Sequence, residues 1–209
     1  MIKFEKTEVH GLEPALRGMR NPLDSWAKSD SGEVVHKHED DMGEEVRFQI
    51  GKADALLCGR LILSGPEHCK FLRQIVCWVD ITAPRFWWIE FDTYRHGVEK
   101  NSCSTMHRIM AKEFTPDDFT PLTGKPIIDE LNGLRQSYLD AKDDHQKKLF
   151  WRALIEKLPQ GYMQKRTVMM SYQAIRAMCH QRKGHKLTEW HDFIDWAKEL
   201  PESWMIIND

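Results

Sequence analysis

Residues 75–84, IVCWVDITAP, constrain this chain most: Ile, Val, Trp and Thr occur there in the proportions of extended backbone, and Pro84 cannot continue a hydrogen-bonded ladder. A strand over 75–84 is expected. Directly after it comes RFWWIEFDTYRHG, residues 85–97, so dense in aromatics that periodicity permits helix or strand; a helix is expected. Eight tryptophans among 209 residues fit either a buried aromatic core or recognition of a planar ring.

With 41% apolar and 30% charged residues, the chain can bury one sizeable core, and no linker divides residues 1–209, so a single α+β domain is expected. Lys and Arg number 30 against 32 acids, a net charge of −2, so no global basic field exists to gather a nucleic-acid polymer or an anionic membrane. Any phosphate site must be local. No apolar run approaches the roughly 18–20 residues of a membrane span, and the start, MIKFEKTEVHGLEP, lacks the apolar segment of a secretory leader, so a cytoplasmic location is expected. The five cysteines are odd in number and form no CxxC pair; they are expected to be reduced thiols, with no metal site.

Along the chain, ALRGMRNPLDSW reads as a short helix stopped at Asn21-Pro22, and residues 28–46 as a polar surface loop. Within that loop His36, His38, Asp40 and Asp41 read as a solvated charge run rather than as metal ligands. Ala53–Leu63 suits a helix closing at Gly65-Pro66. Residues 126–157 carry apolar positions for one long helix or two successive ones, and 171–182 and 187–200 read as the last two helices.

Three polar clusters could carry chemistry. TYRHGVEKNSCSTMH, residues 93–107, supplies hydroxyls, cations and a flexible Gly97, the donors that a phosphate needs, although an ordinary polar loop after a core element would look the same. QRKGHKLTEW, 181–190, places Arg182 at a helix end ahead of Gly184, where a simple basic C-terminus is the plainer account. SGPEHCKF, 64–71, sets Glu67 and His68 in a turn before the strand, a pair that solvation alone would explain. No nucleophile elbow, Walker or dinucleotide fingerprint accompanies them, which leaves hydrolase, kinase and dehydrogenase readings without support.

The order of these clusters resembles the flavin-dependent thymidylate synthase family, in which a His-Glu turn, a strand ending in Ala-Pro, a polar signature and a late arginine-bearing helix follow one another. The family signature is Arg-His-Arg followed after seven residues by Ser; Tyr94-Arg95-His96, then GVEKNSC, then Ser104 keeps that spacing, and Asn101 to Ser104 fits Asn-x-x-Ser. LPQGYMQKRTVMMSYQAIRAMCHQR resembles the family segment ending in the arginine that contacts the pyrimidine, which puts Arg182 at that arginine. The similar parts are residues 64–108 and 155–195.

The resemblance implies an antiparallel sheet flanked by helices in a homotetramer. It implies FAD, with NADPH and methylenetetrahydrofolate as co-substrates, and reductive one-carbon transfer to dUMP or a related deoxyuridine nucleotide. By the same resemblance Glu67, His68, Arg95, His96, Ser171 and Gln173 would bind the cofactor. Asn101, Ser102, Ser104 and Arg182 would bind the nucleotide, with Arg182 also stabilising negative charge as the pyrimidine C5 becomes nucleophilic. Three positions depart from the family pattern: Tyr94 replaces its first arginine, while Met106 and Ile155 stand where two further arginines are expected. Two charged phosphate contacts are worth about 1.5–3 kcal/mol each, and Arg108, Arg152 or Lys157 are the nearby replacements. The alternatives are a non-catalytic nucleotide-binding or assembly protein of the same fold, and a structural domain with an aromatic core.

Overall fold

The computed structural model describes residues 2–37 and 44–207. Its centre is an antiparallel sheet of four strands, β1 (Lys3–His10), β4 (Val76–Pro84), β5 (Val98–Ser102) and β6 (Met163–Ser171), in the order β1-β4-β6-β5. The strand expected at 75–84 is present as β4, and its period of two is plain: Cys77, Val79, Ile81 and Ala83 are buried, whereas Trp78 on the other face is 39% exposed. That outer face is polar where β4 meets β6, with Thr167 donating to Asp80 and Lys165 bridging Asp80 and Glu5.

The inner face is covered by helices. α1 (Leu12–Met19) buries Ala15, Leu16 and Met19, one face at helical spacing, and ends ahead of Asn21-Pro22 as expected. α2 (Lys52–Leu63) matches the expected helix, and Gly65 beyond it takes a φ of +113°. α3 (Arg85–Phe91) begins directly at Pro84 but stops at Phe91, so residues 92–97 form a turn rather than more helix. α7 (Tyr172–Arg182) and α8 (Glu189–Lys198) close the core, α8 through Trp190, Phe193 and Ala197. Part of the aromatic surplus is structural: Trp87 lies 5.0 Å from both Phe91 and Trp190, and Trp190 lies 5.6 Å from Phe193, all fully buried, whereas Trp26, Trp78 and Trp204 are exposed.

A second, smaller core holds α4 (Thr105–Arg108), α5 (Lys125–Asp140) and α6 (Asp144–Lys157) together through Ile109, Phe114, Phe119, Leu131 and Leu154. The stretch 126–157 is thus two helices. Trp151 donates its indole N–H to the Met106 carbonyl at 3.1 Å, which ties α6 to α4, and Arg85 at the start of α3 donates to the Leu158 carbonyl at 3.0 Å, which fastens this unit to the larger one.

Three segments hold strands that the sequence reading does not anticipate. Residues 28–46 are not a loop throughout: β2 (Gly32–Lys37) and β3 (Glu44–Gln49) pair as an antiparallel hairpin, with His36 in β2 and with His38, Asp40 and Asp41 outside the described residues. The first residues form β1, an edge strand whose side chains mostly face solvent. The polar cluster 93–107 contains β5, which pairs with β6 from Val98 opposite Met170 to Ser102 opposite Arg166. No helix among the described residues is long and apolar enough to cross a membrane.

Two devices position the site. The Asp54 carboxylate, wholly buried, accepts from Arg20 Nε at 2.6 Å, from the Ser29 and Ser31 hydroxyls at 2.8 and 2.6 Å, and from the amides of Asp30 and Ser31. Asp30 in turn accepts the Ala53 and Asp54 amides, so the loop and the start of α2 are tied together. The second device is Gly97, at φ +69°: its carbonyl accepts the Ser171 amide at 2.8 Å, and a Cβ there would stand 2.5 Å from Ser171 Oγ.

Asp54→Ala leaves the Arg20 charge buried without its partner and is expected to cost about 3–5 kcal/mol, read as a lower midpoint of urea unfolding. Burial alone would raise the Asp54 carboxyl, but hydrogen bonds from Ser31, Ser29, Arg20 and the Asp30 amide outweigh it and hold the pKa at about 2 against an ordinary 3.8. The folded-state value is depressed, so this contribution is complete above the ordinary value and is lost as pH falls toward about 2; in Asp54→Ala the acid unfolding curve should lose that part of its slope. Gly97→Ala is expected to cost about 1–3 kcal/mol, seen as a fall in melting temperature, because alanine is strained at positive φ and its methyl would push Ser171 aside.

Candidate active site

Arg182, the last residue of α7, donates from Nε to the Tyr94 hydroxyl and from Nη1 to Glu90 Oε2, each at 3.0 Å. Its guanidinium lies 4.8 Å from the Trp190 ring centre and 5.6 Å from that of Tyr94. The same Glu90 oxygen accepts the Trp190 indole N–H at 3.0 Å and has His185 Nε2 at 3.2 Å. Since His185 Nδ1 accepts the Leu187 amide, the ring proton sits on Nε2 and points at Glu90. Tyr94 donates its own O–H to Gln181, so this residue holds the last turn of α7 in place. The Arg182 side chain is 19% and that of Glu90 32% exposed: both reach solvent from a fixed plane. A guanidinium so oriented can stabilise negative charge on a ring set against it.

The expected nucleotide residues lie on the neighbouring edge. Asn101 and Ser102 are exposed on β5, and Ser104 caps α4 by accepting the His107 amide at 3.2 Å. Opposite Ser102, Arg166 donates to both oxygens of Asp92 at 2.9 and 3.2 Å while stacking 4.2 Å from Trp88, and Lys100 pairs with Asp92 at 2.9 Å. Met106 is half exposed and Ile155 packs into the smaller core, so neither place carries a cation. Arg152 and Lys157 are engaged with Glu156 and Glu130 in exposed ion pairs of the kind worth about 0–1 kcal/mol, which a phosphate can displace.

Of the expected cofactor residues, Glu67 and His68 line a cleft of about 670 Å³ between α1, α2 and the turn at Lys70–Arg73. Three cations, Lys28, Arg60 and Lys70, stand there against one acid, Glu67, with Leu57, Leu61 and Phe71 as apolar wall; Arg20 is neutralised by Asp54. Arg95 and His96 are exposed on the turn before Gly97. Gln173 accepts from Arg73, which draws that turn to the start of α7. Ser171 is buried, and its hydroxyl accepts the Ala174 amide as the cap of α7. The structure therefore gathers residues 67–73, 97 and 171–173 at one end of α7, and Tyr94 with Arg182 at the other, with the turn 92–97 joining the two.

Sequence reasoning missed Glu90, His185, Trp190 and the Arg166–Asp92 pair as members of this region. Glu90 left a signal: a carboxylate inside the apolar run RFWWIEF needs a partner wherever that run is buried. Arg166 left none, because it sits between Lys165 and Thr167 in a strand that looked polar.

No protein-family model and no curated protein matches this sequence. Solved structures do. Thymidylate synthase X (ThyX) from Helicobacter pylori with FAD and dUMP superposes with a TM-score of 0.68 at 14% identity, covering 99% of this chain and 97% of that one. A second structure of the flavin-dependent thymidylate synthase ThyX from Helicobacter pylori, complexed with FAD and dUMP, gives 0.67 at 15%, covering 98% and 95%. The chain thus shares, over nearly all of its length, the fold of ThyX flavin-dependent thymidylate synthases.

Proposed function

We propose that this chain is a flavin-dependent enzyme of the thymidylate synthase type, transferring a one-carbon unit reductively from methylenetetrahydrofolate to dUMP or a related deoxyuridine nucleotide. In this reading it binds FAD, takes its electrons from NADPH, and works as a cytoplasmic homotetramer. The observation that carries the reading is a fold shared over nearly its whole length with ThyX structures holding FAD and dUMP, with Arg182 and Tyr94 together at the end of α7, Ser102–Ser104 on the strand edge and Glu67–His68 in the cleft beside α1 and α2.

The residues present fit such a cofactor. Lys28, Arg60 and Lys70 suit the pyrophosphate of a dinucleotide, and the apolar wall of the cleft suits a flat ring. Bound there, a flavin supplies the hydride chemistry. The chain's own contribution is recognition and electrostatics. Ser102, Ser104 and Arg166, together with Arg108 at the end of α4, provide donors for a nucleotide phosphate. Arg182 sets a fixed positive charge beside the pyrimidine, where it favours the electron-rich form needed at C5.

A second reading is favoured by a specific observation: Arg182 is already engaged by Glu90, and two expected arginines are Met106 and Ile155. This would be a nucleotide-binding protein of the same fold without turnover.

The purified protein is expected to show flavin absorption, as isolated or after FAD is added. Its reduced form should be reoxidised on adding dUMP and methylenetetrahydrofolate, and Arg182→Ala should slow that step about 10²–10³-fold. A protein that FAD leaves colourless sinks the flavoenzyme reading. Binding of dUMP with no reoxidation selects the second reading.

A further inference from the structure

Glu90 carries more than a counter-charge. Among the described residues, every partner of its carboxylate converges on Oε2: Arg182 Nη1, Trp190 Nε1 and His185 Nε2 lie within 3.0–3.2 Å of that one atom. Oε1 accepts no hydrogen bond from any described residue. Arg182 is committed likewise through Nε and Nη1, which leaves Nη2 without a partner among the described residues. Both side chains reach solvent, and stacking on Trp190 holds the guanidinium plane. The surface therefore presents a charged acceptor and a charged donor side by side, preset by groups belonging to α3, α7 and α8. An acceptor beside a donor is complementary to an N–H beside a carbonyl, the edge that a uracil ring offers at N3 and its flanking oxygen.

We propose that Glu90 is a specificity-determining residue: Oε1 accepts the N3–H of the pyrimidine while Arg182 Nη2 donates to the adjacent carbonyl, so that the site selects uracil over cytosine. This rests on the reading of the chain as a deoxyuridine nucleotide enzyme. Cytosine has a lone pair at N3, which would face the Oε1 lone pairs; presenting its exocyclic amine to Glu90 instead would slide the ring along the site by one position.

The three donors around Oε2 make the test sharp. In Glu90→Gln they require an oxygen where Oε2 now lies, so the amide must turn its NH2 outward. The exposed group then changes from acceptor to donor while the packing stays the same. Calorimetric binding of dUMP and dCMP to the full-length protein with FAD should give at least about tenfold preference for dUMP, the discrimination of one hydrogen bond to a charged group. Glu90→Gln should abolish or invert that preference. Glu90→Ala, which removes the acceptor without supplying a donor, should bring the ratio toward one. Should either variant fold poorly by thermal melting, the other still decides.

An unchanged ratio in these variants overturns the role of Glu90 while leaving the enzyme reading intact, and so does a wild-type protein that binds dCMP as tightly as dUMP. A wild-type protein that binds neither nucleotide overturns both.

Discussion

The aromatic layer between the sheet and the last two helices is the constraint on which the rest of the molecule depends. Trp87 and Phe91 of α3 meet Trp190 and Phe193 of α8, and burying aromatics of this size is worth several kcal/mol, enough to fix how α3, α7 and α8 lie against one another. Trp190 then has two roles. Its ring belongs to the core and stacks on Arg182, while its indole N–H holds Glu90. Because the charged pair is built on the rigid core rather than on a loop, its orientation is inherited from packing.

The helix that carries Arg182 is fixed at both ends by different means. At its start, Ser171 caps α7 and the close approach of Gly97 leaves no room for a side chain. At its end, Tyr94 bridges Gln181 and Arg182. Residues 94 and 97 lie on one short turn, so a single segment sets both ends of a helix about 16 Å long. A displacement of that turn would be felt simultaneously by the cleft around His68 and by the arginine.

Local periodicity makes much of this legible in the amino-acid sequence. β4 alternates cleanly, and α2, α7 and α8 show apolar spacings bounded by glycine or proline, so each is readable from its own residues. β1, β5 and β6 are not, for reasons that differ. β1 and β5 are edge strands with most side chains in water, and their sequences KFEKTEVH and VEKNS give no burial signal. β6 hides a charge on its inner half, where Arg166 stacks on Trp88 and bonds Asp92, so its pattern is set by a partner 74 residues away. The site divides in the same manner. Arg182 and the Asn101–Ser104 segment are visible as motifs, whereas Glu90 acquires its meaning only when α3, α7 and α8 converge.

The distribution of the thiols bears on how the protein meets oxidants. Cys58, Cys77 and Cys179 are buried, and burial pushes each of them up to about 12, so almost none is thiolate at neutral pH; Cys69 is buried as well. Cys103 alone is exposed, between Ser102 and Ser104. Sulfenylation or alkylation would therefore fall on one residue, and that residue sits beside the strand edge proposed to bind the nucleotide. Chemical damage to this molecule should begin at that proposed ligand edge, before the core is touched.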